Sequence, residues 1–153
     1  MAGRSTIAFE SRFDRTPAEV WRVVSNSNRG NEVTVGLEPY TAEDVLQADG
    51  SVIRYGRGRM GPFRVEWEEG FGEWVENRYI RQVRRYKTGP MRSLGIEFRL
   101  LEDGGGTRVE FDFEATWDSL LGAVLYKLGV LDKLSKEVVR TCESAVAALE
   151  RPK

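Results

Sequence analysis

The sequence predicts an α+β domain in which one long C-terminal helix lies across the concave face of a curved antiparallel sheet. Three observations carry that prediction. The last third of the chain, Asp118 to about Leu149, repeats apolar residues at helical spacing. The middle is a run of strand-like segments separated by turns rich in Gly, Asp and Asn. A short helix, opened by the capping-box sequence Thr16-Pro17-Ala18-Glu19, stands between the first strand and that run.

The elements follow in order. Thr6 to Phe13 alternates, with Ile7, Phe9 and Phe13 on one face, and reads as a half-buried strand. Val20, Trp21, Val23 and Val24 supply the apolar face of the short helix. Ser25 to Gly36 is polar and reads as a loop or a second short helix. Strands are expected at Tyr40 to Gln47, Ser51 to Met60, Arg64 to Val75, Tyr79 to Lys87 and Met91 to Glu102. Gly70 and Gly72 mark a bulge or bend in the third of these. Thr107 to Trp117 has the cleanest alternation, with Val109, Phe111, Phe113, Ala115 and Trp117 on one side. Strands joined by such short turns run antiparallel.

In the C-terminal segment, Leu121, Val124, Leu128, Leu131, Val138, Cys142, Ala145 and Leu149 form one stripe. Asp118 is the expected N-cap, Trp117 is expected to anchor the start, and a bend is expected near Gly129. A coiled-coil arm is the weaker alternative, because the flanking charges are sparse and Ser135 interrupts the seam. The stripe must be buried, and the preceding sheet is the surface available. One helix does not fill a sheet wrapped around it, so a cavity for a small apolar molecule is expected between them.

Composition narrows the chemistry. The 153 residues, 41% hydrophobic and 31% charged, fit one globular domain spanning 1–153. A net charge of −1 gives no global attraction for nucleic acid or membrane. No apolar run approaches the ~18 residues of a membrane span, and Met1 to Ser5 shows no apolar signal region. A single cysteine, Cys142, excludes an internal disulfide and fits a reducing, cytoplasmic setting. The chain has no histidine, which excludes Ser-His-Asp, Cys-His and His-ligated metal chemistry. Acid–base work would fall to Asp, Glu, Tyr or Lys. No cofactor and no metal are expected.

At this point a resemblance enters. The strand Ile7 to Phe13 running into Thr16-Pro17-Ala18-Glu19-Val20-Trp21, the meander with Gly/Asp turns, and the long terminal helix are together similar to the SRPBCC superfamily. That superfamily comprises the helix-grip proteins of the START-like, Bet v 1-like and polyketide cyclase-like groups. The likeness covers essentially the whole chain and implies the fold more than the function. Trp67-Glu68-Glu69-Gly70-Phe71, Trp74 to Arg78, Arg84 to Pro90 and Gly105 to Val109 resemble, more narrowly, a module found before nucleotidyl cyclase domains in some bacterial proteins. Gly70 departs from that pattern, and no cyclase domain is present. This second likeness therefore implies a sensor or ligand-binding module, not cyclase activity.

Gly56-Arg57-Gly58-Arg59-Met60-Gly61 matches G-x-G-x-x-G by letter. A dinucleotide site needs that pattern between a strand and a helix, and here another strand follows, so the glycines are read as relieving strand curvature. Arg78, Arg81, Arg84, Arg85, Lys87 and Arg92 form a basic run. The neighbouring strand carries Glu66, Glu68, Glu69, Glu73 and Glu76, so ordinary cross-strand pairing is favoured over nucleic-acid binding.

A two-residue turn at Asn77-Arg78 would set Glu76 opposite Tyr79 and Glu68 opposite Lys87. It would also put Trp67, Glu69, Phe71, Glu73 and Val75 on one face with Ile80, Gln82, Arg84 and Tyr86. Glu69 and Arg84 then point into the expected cavity, walled by Tyr55, Trp67, Tyr86, Phe98 and Phe111. Two readings stay open: polar fixing points for a small hydrophobic or amphipathic ligand, or a buried structural salt bridge. Trp21, Trp74, Trp117, Phe111 and Phe113 are expected in the core rather than as a ligand platform. A polyketide cyclase- or dehydratase-like enzyme would draw on Glu69, Glu73 or Tyr86 in the same cavity. A protein-interaction module, as in co-chaperone-like relatives, would instead expose an apolar patch.

Overall fold

The computed structural model describes residues 3–25, 41–60, 62–70 and 72–149. The expected loop or helix of Ser25 to Gly36 lies outside them except for Ser25, as does Tyr40 at the start of an expected strand. The elements are β1 (Gly3–Phe13), α1 (Pro17–Val24), β2 (Thr41–Leu46), β3 (Val52–Met60), β4 (Phe63–Glu69), β5 (Glu73–Val75), β6 (Tyr79–Tyr86), β7 (Ser93–Asp103), β8 (Gly106–Trp117), α2 (Leu120–Lys127) and α3 (Val130–Ala147).

Helix α1 starts where the capping box places it. The Glu19 carboxylate accepts from the Thr16 amide at 2.9 Å, and the Thr16 hydroxyl accepts from the Glu19 amide at 3.4 Å. Those bonds from Thr16, backbone first, hold the Glu19 carboxyl below its ordinary pKa.

Among the described residues the strands form one eight-stranded sheet, ordered β1-β8-β7-β6-β4-β3-β2, with β5 added onto β6. All the pairings are antiparallel. The sheet curves around the helices, which is the helix-grip α+β architecture the sequence implies. Along β8, Val109, Phe111, Phe113, Ala115 and Trp117 are buried and their neighbours are not, as strict alternation requires.

The expected third strand is split. From Glu69 to Glu73 the chain advances four residues, while its partner on β6 moves three, from Arg84 to Arg81. The extra residue is a bulge at the Gly70–Gly72 stretch. The β5–β6 turn also differs from expectation: Val75, not Glu76, faces Tyr79, and Asn77 takes a left-handed φ of 61°. Each difference shifts the register by one residue. Their sum is two, which restores side-chain parity at β4. Trp67 and Glu69 therefore share a face with Arg84 and Tyr86 as expected, whereas Glu73 and Val75, caught between the two shifts, turn to the outer face. Trp74, expected in the core, is instead exposed on the three-residue edge strand.

The C-terminal helix breaks at Gly129, whose φ of 74° lies in the left-handed region where a Cβ is strained. Ser119, not Asp118, caps α2: its hydroxyl accepts from the Gly122 amide at 3.0 Å, while Asp118 turns to Arg92 at 3.4 Å. Leu131 and Cys142 are buried as expected, and Val138, Ala145 and Leu149 pack against the core. Leu121, Val124 and Leu128 are exposed, because the break takes α2 out of line with the seam that α3 buries. Ser135 fits that seam by donating its hydroxyl to the Leu131 carbonyl at 2.7 Å.

Two apolar clusters hold these layers together. In one, α1 and the C-terminal half of α3 cover Phe98, Leu100, Val109, Phe111 and Phe113. In the other, Leu131 meets Met60, Val65, Trp67, Met91, Leu94 and Trp117. Trp117 packs against Gly122 in the first turn of α2, and its indole N–H donates to the Ser5 hydroxyl on β1 at 3.2 Å.

Candidate functional site

Cross-strand pairing aligns one row of inward-facing side chains across the sheet. It runs Asp44 (β2), Arg54 (β3), Glu69 (β4), Arg84 (β6), Leu94 (β7), Ala115 (β8) and Ser5 (β1). The first four alternate in charge and the rest are small or apolar. This row thus runs from a charged end on β2, β3, β4 and β6 to an apolar end on β7, β8 and β1.

The charged row has two ion pairs of different character. At the edge, Arg54 grips Asp44 with two bonds, Nε to Oδ1 at 2.7 Å and Nη2 to Oδ2 at 3.1 Å. That contact lowers the Asp44 pKa. Deeper in, Arg84 Nε lies 3.4 Å from Glu69 Oε2, with side-chain exposures of 16% and 3%. Neither oxygen of the Glu69 carboxylate accepts a hydrogen bond. The Arg84 guanidinium also sits 5.0 Å from the centroid of the Trp67 ring, and Trp67 meets Tyr86 at 6.0 Å. The Trp67 ring lies over Gly56, its cross-strand partner, where a Cβ would fall 2.1 Å from the indole. Burial raises the pKa of the Tyr86 phenol, with Arg84 opposing, so Tyr86 stands as a proton donor rather than a base.

Of the residues the sequence singled out, Trp67, Glu69, Arg84 and Tyr86 form this cluster. Phe98 and Phe111 are on the same face but farther along. They meet edge-to-face at 5.0 Å in the core under α1 and α3, and Phe111 is fully buried. Tyr55 does not join them. It pairs with Glu68 on the convex face, under the Lys87 ammonium at 4.9 Å, because Gly56 takes the inward position on β3. Glu73 also faces away. Of the basic run, Arg84 pairs with Glu69 and Lys87 with Glu68 at 2.6 Å on the neighbouring strand, and Arg92 pairs with Asp118. The two strand glycines of the G-x-G-x-x-G match lie within β3, opposite Trp67 and Val65, and open no helix.

Sequence reasoning missed Arg54 and Asp44. Arg54 stands two residues before Gly56 on the inward parity of β3, a signal present in the sequence. Asp44 is placed only by the Gln47–Ser51 turn, whose register the sequence leaves open. Among the described residues no group of His, Cys, Asp or Glu could hold a metal ion, and no helix is long and apolar enough to cross a membrane.

No family model matches the sequence, and no curated protein matches it. Solved structures do match its fold. A START superfamily protein from Mycobacterium smegmatis aligns with a TM-score of 0.70 at 11% identity, covering 97% of this chain and 100% of that one. The Zhui aromatase/cyclase from Streptomyces sp. R1128 aligns at 0.67 and 11% identity, covering 95% and 98%. Ara h 8.0201 aligns at 0.64 and 16% identity, covering 96% and 100%. Sheet order and whole-chain superposition together give this protein the same helix-grip fold as those structures.

Proposed function

We propose that the protein binds a small hydrophobic or amphipathic ligand between the sheet and the C-terminal helix, with Glu69 and Arg84 as its polar fixing points. The observation that carries this reading is the Glu69 carboxylate: buried, ion-paired at 3.4 Å, and accepting no hydrogen bond at either oxygen. A buried charge left so incompletely satisfied costs stability, and such groups concentrate where a ligand supplies the missing partner. A ligand hydroxyl or amine donating to Glu69 would relieve that cost, while Trp67 and Tyr86 flank the pair with aromatic surface. A cavity in this place is consistent with one helix lying across a curved sheet that it does not fill, the kind of space in which small apolar ligands bind.

The test is native mass spectrometry of the purified protein, followed by denaturing extraction and a thermal-shift screen of polyketide-like and lipid compounds. A co-purifying or stabilising apolar molecule, lost in the double variant Glu69→Gln/Arg84→Met, is the expected result. An empty protein that no compound stabilises overturns the reading. Catalysis at the same place would rest on Glu69 and the protonated Tyr86 phenol. It would appear as turnover of a bound compound and not as simple retention.

A protein-interaction module is a second reading with one observation in its favour, the exposed apolar surface of α2.

A further inference from the structure

Helix α2 is the feature that ligand binding does not use. Gly122 is its buried residue, and Leu125 is half-buried. A Cβ at position 122 would fall 2.7 Å from the Pro90 carbonyl oxygen and 2.9 Å from the Trp117 Cβ, so the glycine lets the helix lie flush there while its other sides project. At about 100° per residue, Leu120, Leu121, Val124 and Leu128 fall in one arc that faces away from Gly122. Leu120 is 89% exposed and Leu128 66%. Of the nine large hydrophobic side chains exposed among the described residues, five lie between 120 and 128, Tyr126 being the fifth. Scattered apolar residues need no partner, but a patch this concentrated marks an interaction surface.

Charge and shape select its occupant. Around the helix stand Arg92, Lys127, Lys133 and Lys136 against Asp118 and Asp132, four positive charges to two, in a chain whose net charge is −1. Asp118 is neutralised by Arg92 at 3.4 Å, and Asp132 by Lys136 at 2.8 Å. Farther along α3, Glu137 and Arg140 pair with each other and leave the balance unchanged. The local excess is therefore Lys127 and Lys133, both exposed. Two lysines beside an apolar arc complement an anionic lipid surface. Lys127 lies only about 20° round the helix from Leu120. A protein partner would have to bury an acid against it; at a leaflet its stem stays among acyl chains while its ammonium rises to the phosphates. Exposed residues also run round about 220° of α2, from Tyr126 to Leu121. A fluid leaflet surrounds such a helix, whereas a packed protein face covers one stripe of it. Tyr126, on the flank nearest the body of the fold, falls at headgroup level, where tyrosine is favoured.

We propose that α2 docks the protein on an anionic membrane surface, with Leu120, Val124 and Leu128 entering the leaflet and Lys127 and Lys133 meeting lipid phosphates. The test is co-flotation of the full chain with vesicles of equimolar phosphatidylcholine and phosphatidylglycerol, compared with vesicles of phosphatidylcholine alone. Wild type should bind the mixed vesicles at least about tenfold more tightly than the neutral ones, and added salt should remove that preference. Leu120→Glu, at an exposed position in the first turn where an acid suits the helix dipole, should melt like wild type and lose flotation. Lys127→Gln/Lys133→Gln should lose the preference for anionic vesicles. Glu69→Gln/Arg84→Met should float as wild type does, because docking does not pass through the cavity. Wild type that floats with neither vesicle overturns the proposal, as does flotation that survives Leu120→Glu or vanishes in Glu69→Gln/Arg84→Met. Protein that stays in the aqueous fraction and sediments as a dimer broken by Leu120→Glu also overturns it, and assigns the face to a second copy of the chain.

Discussion

The two halves of the concave face are built from the same alternation and serve different ends. On β1, β7 and β8 the inward positions carry Phe9, Ile96, Phe98, Phe111 and Phe113, and α1 and α3 cover them as core. On β2, β3, β4 and β6 one row of those positions carries Asp44, Arg54, Glu69 and Arg84, directly opposite one another across the strands. The apolar half is satisfied by burial alone. The charged half is neutral in sum yet holds a carboxylate with no hydrogen bond. Burial explains the first half completely. The second half carries a cost that folding by itself does not require, and that difference is the ground on which we propose the ligand site on β4 and β6.

Variants in each half sharpen the contrast. Phe111→Ala, in a site with no exposed surface, should lower unfolding free energy by about 3–5 kcal/mol in a denaturant titration, without a separate effect on ligand retention. Arg84→Ala, which strands the Glu69 charge, should cost roughly 3–5 kcal/mol by the same measurement. The double variant Glu69→Gln/Arg84→Met should recover most of that stability and still lose the ligand. If it kept the ligand, the pair would be structural and the two halves would be equivalent. Gly56→Ala, which forces the Trp67 ring away from β3, should cost about 1–3 kcal/mol and disturb the near-ultraviolet circular dichroism of that indole.

The edge of the charged half gives the smallest effect. Arg54 lowers the Asp44 pKa, so this pair stabilises the fold above the unfolded carboxylate pKa, about 3.9, and the contribution is lost as pH falls through the lower folded value. Asp44→Asn should slightly flatten the melting temperature between pH 6 and pH 3, and added salt should shrink the difference. On the apolar side, burial pushes the Cys142 thiol up to about 12. Folded protein should therefore resist alkylation at pH 8 and react once denatured.

How much of this was legible in the sequence varies by element. The α1 start was fully legible, because a capping box and Pro17 act within four residues. β8 was equally clear, since Val109 to Trp117 alternate without interruption. Glu69 and Arg84 were placed on one face correctly, but through two register shifts that together move the pairing by two residues and so keep the parity. Glu73 and Trp74, lying between those shifts, were not. Tyr55 was misplaced because its neighbour Gly56 gives no hydrophobic signal, although Gly56 holds the inward position beneath Trp67. The C-terminal stripe was legible from Leu131 onward and misleading before it.

Local chemistry accounts for what the sequence determined alone: where strands and helices begin, which face of β8 is buried, that Gly129 interrupts the last helix, and that histidine chemistry is absent. Those outcomes depend on neighbours a few residues apart. Tertiary structure decided the rest. Pairing across β2, β3, β4 and β6 built a charged row from residues up to 40 positions apart in the chain, Asp44 to Arg84. The break at Gly129 decided that the same apolar spacing is buried on α3 and displayed on α2, because a helical pattern states which residues share a face and only packing states what that face meets.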